Sequence, residues 1–298
     1  MTITVGTEQE ARDLVAASFV ALAEEFFQPD GQPRPFHLRD KKNTQDDPFD
    51  ELVIEVLNRR LPADIRVISS GKKLVSPDLV VARPEESRLL EAGGRDFDTT
   101  KIAAIEVKKV NPTQDGEAAR GKGIDYNSTP PCATVRIEAA NGNSLRVPAF
   151  YLFVLLVPQE NEQNMKSMAL VAGAAINQDT DLYDSITGIR QKKIGLGTFG
   201  DGYDRQRPML VFANPLGWSW TMGEATLIHT RDDLAQEQAI VRVREVRLSA
   251  TDGSMHVFWC YRRDDGRQSV EPTAINPFPT PDRRTAETNP RGKFKVRW

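Results

Sequence analysis

Two short segments of the chain carry side chains that could hold a metal ion beside a phosphate group. One is Pro77-Asp78, and the other is Glu106-Val107-Lys108. Alternate side chains of an extended strand point to opposite faces, so Glu106 and Lys108 project to the same side. If the apolar run after Asp78 forms a neighbouring strand, this carboxylate lies close to Glu106. The pattern therefore predicts two carboxylates and one ammonium group around a single point.

Magnesium is the cation that such a group of side chains favours. Two carboxylates at close range repel each other unless a cation neutralises them, and hard oxygen ligands are those that Mg²⁺ prefers. A bound Mg²⁺ lowers the pKa of an attached water and stabilises negative charge on a phosphate, which is the chemistry of phosphodiester hydrolysis. The competing interpretation is an ion pair between Glu106 and Lys108 at a sheet edge, with no catalytic role.

The elements predicted around these residues are two helices followed by several strands. Apolar side chains at helical spacing predict a first helix over residues 8–27, and Asp47 followed by Pro48 is a typical start for a second helix that ends near Arg60. Residues 83–100 are predicted to form a polar excursion, and a short helix is predicted near residues 181–190. Runs rich in apolar, β-branched or aromatic side chains predict strands at residues 65–69, 79–82, 101–110, 147–157, 168–176, 209–213, 225–229, 240–248 and 256–261.

This order of elements predicts an α/β fold, with a central mixed β-sheet that is flanked by helices and extended by C-terminal β elements. We expect a single elaborated domain over residues 1–270, with its chemistry in a core of about residues 47–157. Residues 271–298 are rich in Pro, Thr and charge and end in basic side chains. They are predicted to form a tail that is mobile or follows the surface.

The composition excludes several classes of protein. The chain has 298 residues, a net charge of −3 and a pI near 5.8, so binding to nucleic acid would need local basic surfaces. Cys132 and Cys260 are the only cysteines, and without paired Cys/His spacing they predict neither a disulfide framework nor a zinc site. The three histidines are isolated in the sequence and suggest no catalytic triad. With no apolar run long enough to cross a membrane and no secretory signal, the protein is expected in the cytoplasm.

Pro77-Asp78, followed after an interval by Glu106-Val107-Lys108, resembles the PD-(D/E)xK nuclease superfamily, and especially the type II restriction endonucleases. The resemblance implies a restriction-endonuclease-like core around the central sheet. It also implies that Asp78 and Glu106 are the ligands of Mg²⁺ and that Lys108 is the catalytic lysine.

The family often takes a further acidic residue from a helix ahead of the strands. Here the helix that starts at Pro48 offers Glu51 and, one turn later on the same face, Glu55. The resemblance implies Glu51, ahead of Glu55, as an auxiliary catalytic acid. The alternative is that both glutamates belong to the solvated face of an amphipathic helix.

The same resemblance implies a type II restriction endonuclease, a sequence-specific, Mg²⁺-dependent endodeoxyribonuclease that acts on double-stranded DNA. A homodimer is expected because a short palindromic target has two equivalent strands and a two-fold protein places one site on each. Residues 123–131 look like the polar loops that follow the catalytic strand in restriction enzymes, and basic residues flank a glycine-rich segment at 195–200. The predicted DNA contacts are Asp125, Asn127, Ser128, Thr129, Lys192, Lys193, Arg205 and Arg207.

Other functions remain open from the sequence. A repair, recombination or modification-dependent nuclease of the same fold would use the same catalytic residues on a different DNA substrate. A non-catalytic DNA-binding protein would keep the fold without cleaving, although the intact Asp78, Glu106 and Lys108 favour an enzyme. For the basic residues at 192–207, a solvated surface loop is the alternative to phosphate binding.

Overall fold

The computed structural model describes residues 12–43, 46–69, 77–92, 98–110, 112, 114, 116, 124–127, 131–176, 210–213, 225–236, 239–249, 254–264, 266 and 273–275. Within them the helices are α1 (Leu14–Phe26), α2 (Pro48–Arg60), α3 (Pro84–Ala92) and α4 (Gly173–Ile176). The strands are β1 (Pro35–Phe36), β2 (Arg66–Ile68), β3 (Leu79–Ala82), β4 (Ile102–Val110), β5 (Ile124–Asn127), β6 (Thr134–Glu138), β7 (Ser144–Gln159), β8 (Glu162–Ala172), β9 (Leu210–Ala213), β10 (Ala225–His229), β11 (Ile240–Ser249), β12 (Met255–Arg263) and β13 (Thr273–Ile275).

A large mixed sheet forms the centre of the fold. Among the described residues, eleven strands belong to it: nine follow the order β13-β11-β12-β10-β8-β7-β4-β3-β2, while β1 pairs with β8 and β6 with β7. The pairs β4–β7, β8–β10 and β11–β13 are parallel, and the remaining pairs are antiparallel. The predicted α/β class, with a central mixed sheet flanked by helices and extended by C-terminal strands, is confirmed.

Apolar side chains cover both faces of the sheet, and β4 contributes to both. Ala103 and Ile105 pack with apolar residues of α1 and α2 on one face, while the residues that alternate with them join the core on the other face. This is the period of two that an extended strand imposes. Continued along β4, the alternation directs Glu106 and Lys108 away from α1 and α2 and directs Lys109 toward them.

The second helix, α2, starts where its sequence predicts. Asp47 is the N-cap, and its Oδ1 accepts a hydrogen bond from the N–H of Phe49 at 3.1 Å. Pro48 occupies the first turn, where its missing N–H costs no helical hydrogen bond. The helix ends at Arg60, as expected, and buries Phe49 and Val53 against the sheet.

Residues 83–100 contain a helix, so the predicted polar excursion is wrong in this part. The helix is α3, with Pro84 at its start and Glu85 and Glu86 in the first turn, where acidic side chains suit the helix dipole. Leu90 is buried in the core on the sheet face opposite α1 and α2. Few apolar positions mark this helix in the sequence, and its packing against the sheet is a long-range contact.

The strand predicted at residues 168–176 is displaced. It forms β8, which begins earlier, at Glu162, and its last predicted residues form α4 instead. A tight turn in which Glu160 has a φ of 52° reverses the chain after β7, so polar residues of β8 pair with the end of β7. Because these residues are polar, the sequence carries no local apolar pattern that would mark the start of β8.

Several other predictions fall at the limits of the described residues. The first helix, predicted over residues 8–27, is α1, which begins at Leu14 because Asp13 caps it through the N–H groups of Val15 and Ala16. Residues 1–11 and the helix predicted near 181–190 lie outside the described residues. The sheet includes β13 beyond the predicted start of the tail at residue 271, whereas residues 276–298 lie outside. Among the described helices, none has the length and apolar composition to span a bilayer.

Candidate active site

The pairing of β3 with β4 brings Asp78 next to Glu106. Leu79 lies opposite Ile105 in this antiparallel pair, and Asp78 directly precedes Leu79 as Glu106 directly follows Ile105. The charge of Glu106 acts on Asp78, so the two carboxyl groups are neighbours at this end of the paired segment. Asp78 is also held to β4 itself, because its Oδ2 accepts a hydrogen bond from the N–H of Val107 at 2.7 Å.

Glu106 and Lys108 form an ion pair on the same face of β4. The Nζ of Lys108 lies 2.8 Å from Oε1 of Glu106, and the two side chains are only 10% and 11% exposed. The pair does not lie at a sheet edge, since β4 runs between β3 and β7. A buried ion pair with a second carboxylate opposite it differs from the surface ion pair that was the competing interpretation.

The acid that α2 brings to this group is Asp50. Burial and the negative charges of Asp78, Asp47 and Glu106 together raise the pKa of Asp50 to about 8, although the positive charge of Lys109 acts in the opposite direction. A charge effect of this kind acts between neighbouring groups, so the carboxyl groups of Asp50 and Asp78 lie near each other in a largely buried region. The first turn of α2 therefore brings a carboxylate near the start of β3.

Glu51, the acid that the sequence favoured, is directed elsewhere. Its Oε2 lies 2.5 Å from Nη2 of Arg39, and its side chain is 62% exposed. Glu55 is also exposed and lies 3.6 Å from Arg59. Adjacent residues of an α-helix differ by about 100° in direction, so Asp50 and Glu51 cannot both face β3. The structure thus places both glutamates on the solvated face that was the alternative for them.

The signal that distinguishes Asp50 from Glu51 is the helical phase. The buried side of α2 is formed by Phe49, Val53, Val56 and Leu57, and Asp50 is at the border of this stripe. A border position can reach a site at the end of the sheet, whereas a position at the centre of the polar face cannot.

We define the candidate site as six charged side chains: Asp47, Asp50, Asp78, Glu106, Lys108 and Lys109. With every group ionised, four carboxylates face two ammonium groups, which leaves two uncompensated negative charges. Each lysine is paired, Lys108 with Glu106 and Lys109 with Asp47. The excess charge therefore falls on Asp50 and Asp78.

The pKa of Asp78 reflects this excess of negative charge. Burial and the neighbouring charge of Glu106 raise the pKa of Asp78 above its ordinary value, although the Val107 N–H and Lys108 act in the opposite direction. Two neighbouring carboxyl groups with raised pKa values favour a bound cation, because the cation removes their mutual repulsion.

The donor set fits Mg²⁺ better than zinc. Among the described residues, no three His, Cys, Asp or Glu side chains are grouped closely enough to form a complete ligand set. Zinc sites need three or four protein ligands, often Cys or His. Mg²⁺ is commonly bound by one or two carboxylates and keeps several waters. Asp78 and Glu106 supply such a pair of carboxylates.

The raised pKa of Asp50 predicts how stability depends on pH. This pKa is about 8 in the folded protein and about 4 in an unfolded chain, so the folded state binds the extra proton between these values. The contribution of Asp50 to stability is therefore present at low pH and is lost as the pH rises through about 8. In EDTA, the Tm of the wild type should fall between about pH 5 and pH 8 more steeply than that of Asp50→Asn. Parallel Tm curves would contradict this.

Mg²⁺ should reverse the loss of stability at high pH. Protons compete with a metal ion for carboxylates, so Mg²⁺ is expected to raise the Tm of the wild type more at about pH 8 than at about pH 6. The shift grows with the concentration of an ion that binds the folded state alone. An equal Tm shift at both pH values would count against carboxylates as the metal ligands.

His229 lies next to the acidic side chain of Asp13 and has a structural role. The Nδ1 of His229 accepts a hydrogen bond from the N–H of Arg231 at 3.0 Å, and its Nε2 lies 3.4 Å from Oδ1 of Asp13. Its ring also stacks on Phe150. Both ring nitrogens are thus engaged with the protein, so His229 anchors the N-cap of α1 to β10 and is not placed for acid–base catalysis.

The predicted DNA contacts fall mostly outside the described residues. Ser128, Thr129, Lys192, Lys193, Arg205 and Arg207 all do. Asp125 and Asn127 belong to β5, which pairs with β9 in a separate two-stranded sheet, so this part of the predicted polar loop is a strand. Their role in binding DNA stays a prediction.

Comparisons with known proteins add little to this geometry. No protein-family model matches the chain, and no curated protein matches it. Among solved structures, the chain is similar to the tetrameric restriction endonuclease SfiI bound to cognate DNA, with 10% sequence identity and a TM-score of 0.33. The similarity covers 84% of this chain and 91% of that chain. A similarity of this size carries no weight for function, which is argued below from the side chains of the candidate site.

Proposed function

We propose that the protein is a Mg²⁺-dependent endodeoxyribonuclease of the type II restriction class, with a restriction-endonuclease-like core. The observation that carries the proposal is that Asp78, directly before β3, lies beside Glu106 and Lys108 of the adjacent strand β4, where these largely buried side chains have an excess of negative charge around them. These are the residue types that a PD-(D/E)xK nuclease uses, in the same order along the chain.

Each member of the group has a distinct task in this proposal. Asp78 and Glu106 hold the ion, and the N–H of Val107 fixes the orientation of the Asp78 carboxylate. When bound, Mg²⁺ activates a water molecule and withdraws charge from the phosphate. Lys108 holds Glu106 in place and supplies positive charge where negative charge accumulates on the phosphate.

Asp50 takes the place of Glu51 as the auxiliary acid from the helix. It faces Asp78, and its charge is one of those that a cation would compensate. Glu51 is bound by Arg39 and is exposed, so it is left out of the proposed site. The proposed helix acid is therefore Asp50, one residue before Glu51.

The proposed substrate is double-stranded DNA with a short symmetric target, cut by a homodimer. A palindromic target presents two equivalent phosphodiester bonds, and two copies of the site related by a two-fold axis would cut one strand each. Sequence-specific contacts would come from the segment at residues 123–131, through Asp125, Asn127, Ser128 and Thr129, and from Arg205 or Arg207.

The experiment that tests the function is incubation of the purified protein with plasmid and phage DNA in Mg²⁺. Discrete fragments with a common sequence at their ends are expected. A continuous smear would support a nuclease without sequence preference, and cleavage confined to branched or modified DNA would support a repair or modification-dependent enzyme. Failure to cleave any of these substrates in Mg²⁺ or Mn²⁺ would contradict the enzyme proposal.

A further inference from the structure

Lys109 follows the proposed catalytic lysine and faces the other side of β4. Its Nζ donates a hydrogen bond to Oδ2 of Asp47, and both side chains are about one quarter exposed. The other oxygen of the same carboxylate, Oδ1, accepts the N–H of Phe49. Asp47 thus joins two elements, since it caps α2 through one oxygen and is bound to β4 through the other.

This connection lies three residues ahead of Asp50 in the first turn of α2. The direction of Asp50 depends on where the N-cap of the helix is fixed, because the cap sets both the start and the rotation of the first turn. Asp78, whose charge acts on Asp50, is itself held to β4 through Val107. Both carboxylates are therefore positioned by β4: Asp78 through the N–H of Val107, and Asp50 through the bond between Lys109 and the N-cap of its helix.

We propose that Lys109 is a positioning residue of the candidate site: by binding Asp47 it fixes the first turn of α2 against β4 and so holds Asp50 in front of Asp78. This inference rests on the proposed function. Lys108 and Lys109 are adjacent in the sequence but serve different sides of the strand, and the pairing with Lys109 also compensates the charge of the Asp47 carboxylate.

A second ion pair holds α2 from the outside and supplies a matched control. Arg39 binds the buried carboxylate of Asp46 at 2.6 Å and the exposed Glu51 at 2.5 Å. Arg39→Met would loosen the start of α2 without touching β4. The Tm and the cleavage rate of Arg39→Met show how much of the effect of the other variants comes from the lower stability of α2 alone.

Two variants remove the Lys109–Asp47 pair with opposite changes in charge. Lys109→Met makes the site more negative, and Asp47→Asn makes it less negative while keeping an N-cap residue of nearly equal quality. If Lys109 acted only as a charge, the two variants would change metal binding and cleavage in opposite directions. If it acts by position, both variants slow cleavage although their metal affinities move apart.

The test measures single-turnover DNA cleavage at saturating Mg²⁺, together with Mn²⁺ binding to the DNA-free protein by electron paramagnetic resonance. Lys109→Met and Asp47→Asn are each expected to lower the cleavage rate about tenfold, the scale of a small misplacement of a reacting group. Mn²⁺ should bind more tightly to Lys109→Met and more weakly to Asp47→Asn.

The double variant should be no slower than either single variant, since one shared interaction is lost. Lys109→Arg should stay within about threefold of the wild type, because it keeps the ion pair.

Three outcomes would overturn the positioning role. Cleavage by both single variants at the wild-type rate would do so, as would rates that follow the Mn²⁺ affinities in opposite directions. So would an equal loss of activity in Arg39→Met, which would reduce the effect to helix stability. A wild type that neither cleaves DNA nor binds Mn²⁺ would instead contradict the proposed function, and the positioning role with it.

Discussion

Replacing Lys108 by methionine is expected to lower the rate of DNA cleavage by about two to three orders of magnitude, the cost of removing a group that stabilises transition-state charge. The ammonium group is 2.8 Å from Glu106 and nearly buried, so its removal leaves the charge of Glu106 without this partner. Methionine has a similar length and suits a buried position. The measurement is the single-turnover rate at saturating Mg²⁺ and saturating protein.

Lys101→Met is the matched control for this variant. Lys101 directly precedes β4, its side chain is half exposed, and it lies 3.7 Å from Asp98. An exposed pair of this kind contributes little to stability, and the residue is remote from Glu106 along the strand. We expect Lys101→Met to cleave DNA within about twofold of the wild type. Cleavage by Lys108→Met at a similar rate would remove this lysine from the catalytic group.

Replacing Asp50 by asparagine is expected to lower cleavage about tenfold to a hundredfold, whereas Glu51→Gln should leave the rate within about threefold of the wild type. The physical reason is the helical phase of α2, which turns Asp50 toward Asp78 and Glu51 toward Arg39. Both substitutions replace a carboxylate by an amide of equal size in the same helical turn. A difference between them therefore reports on direction and not on helix propensity.

The same pair of variants separates catalysis from folding. In EDTA at about pH 8, Asp50→Asn should raise the Tm because an ionised, buried carboxylate is removed. We therefore expect Asp50→Asn to be more stable than the wild type but slower in cleavage. This combination is expected when a buried charge destabilises the fold but is needed for activity. If Glu51→Gln were the slow variant and Asp50→Asn the fast one, the auxiliary acid would return to the residue that the sequence favoured.

The residues of the proposed catalytic group were accessible from the sequence because their signals are local. Glu106 and Lys108 are two residues apart in one strand, and strand parity alone puts them on one face. Asp78 directly precedes β3, the strand that pairs with β4, and β3 and β4 follow each other in the sheet. These facts concern neighbouring elements, so the chain itself predicts most of the geometry.

The sequence favoured Glu51 where we propose Asp50, because the direction of each side chain depends on contacts with other elements. Sequence periodicity gives the polar face of α2, but the partner that draws Glu51 outward is Arg39, from the loop ahead of the helix. The bond that fixes the N-cap comes from Lys109, which is 62 residues away in the sequence. Such contacts form only in the folded chain, and the periodicity of α2 carries no information about either partner.

The strands and helices show the same limit. Asp47 followed by Pro48 marks the start of α2 correctly, because caps are local. The early start of β8 depends on its pairing with β7, and α3 depends on packing against the sheet. Where tertiary contacts determine an element, its residues carry a weak local pattern or none.

Plasmid cleavage is compared between the wild type and Glu106→Gln in a Mg²⁺ titration that is then quenched with EDTA. This comparison tests whether DNA cleavage depends on Mg²⁺ held by Glu106. Glutamine keeps the size of the side chain and removes the charge that would hold the ion. We expect cleavage by the wild type to rise with Mg²⁺ and to stop in EDTA. The variant should cleave at no more than about one hundredth of the wild-type rate. Equal cleavage by the two proteins, or cleavage that continues in EDTA, would contradict this dependence.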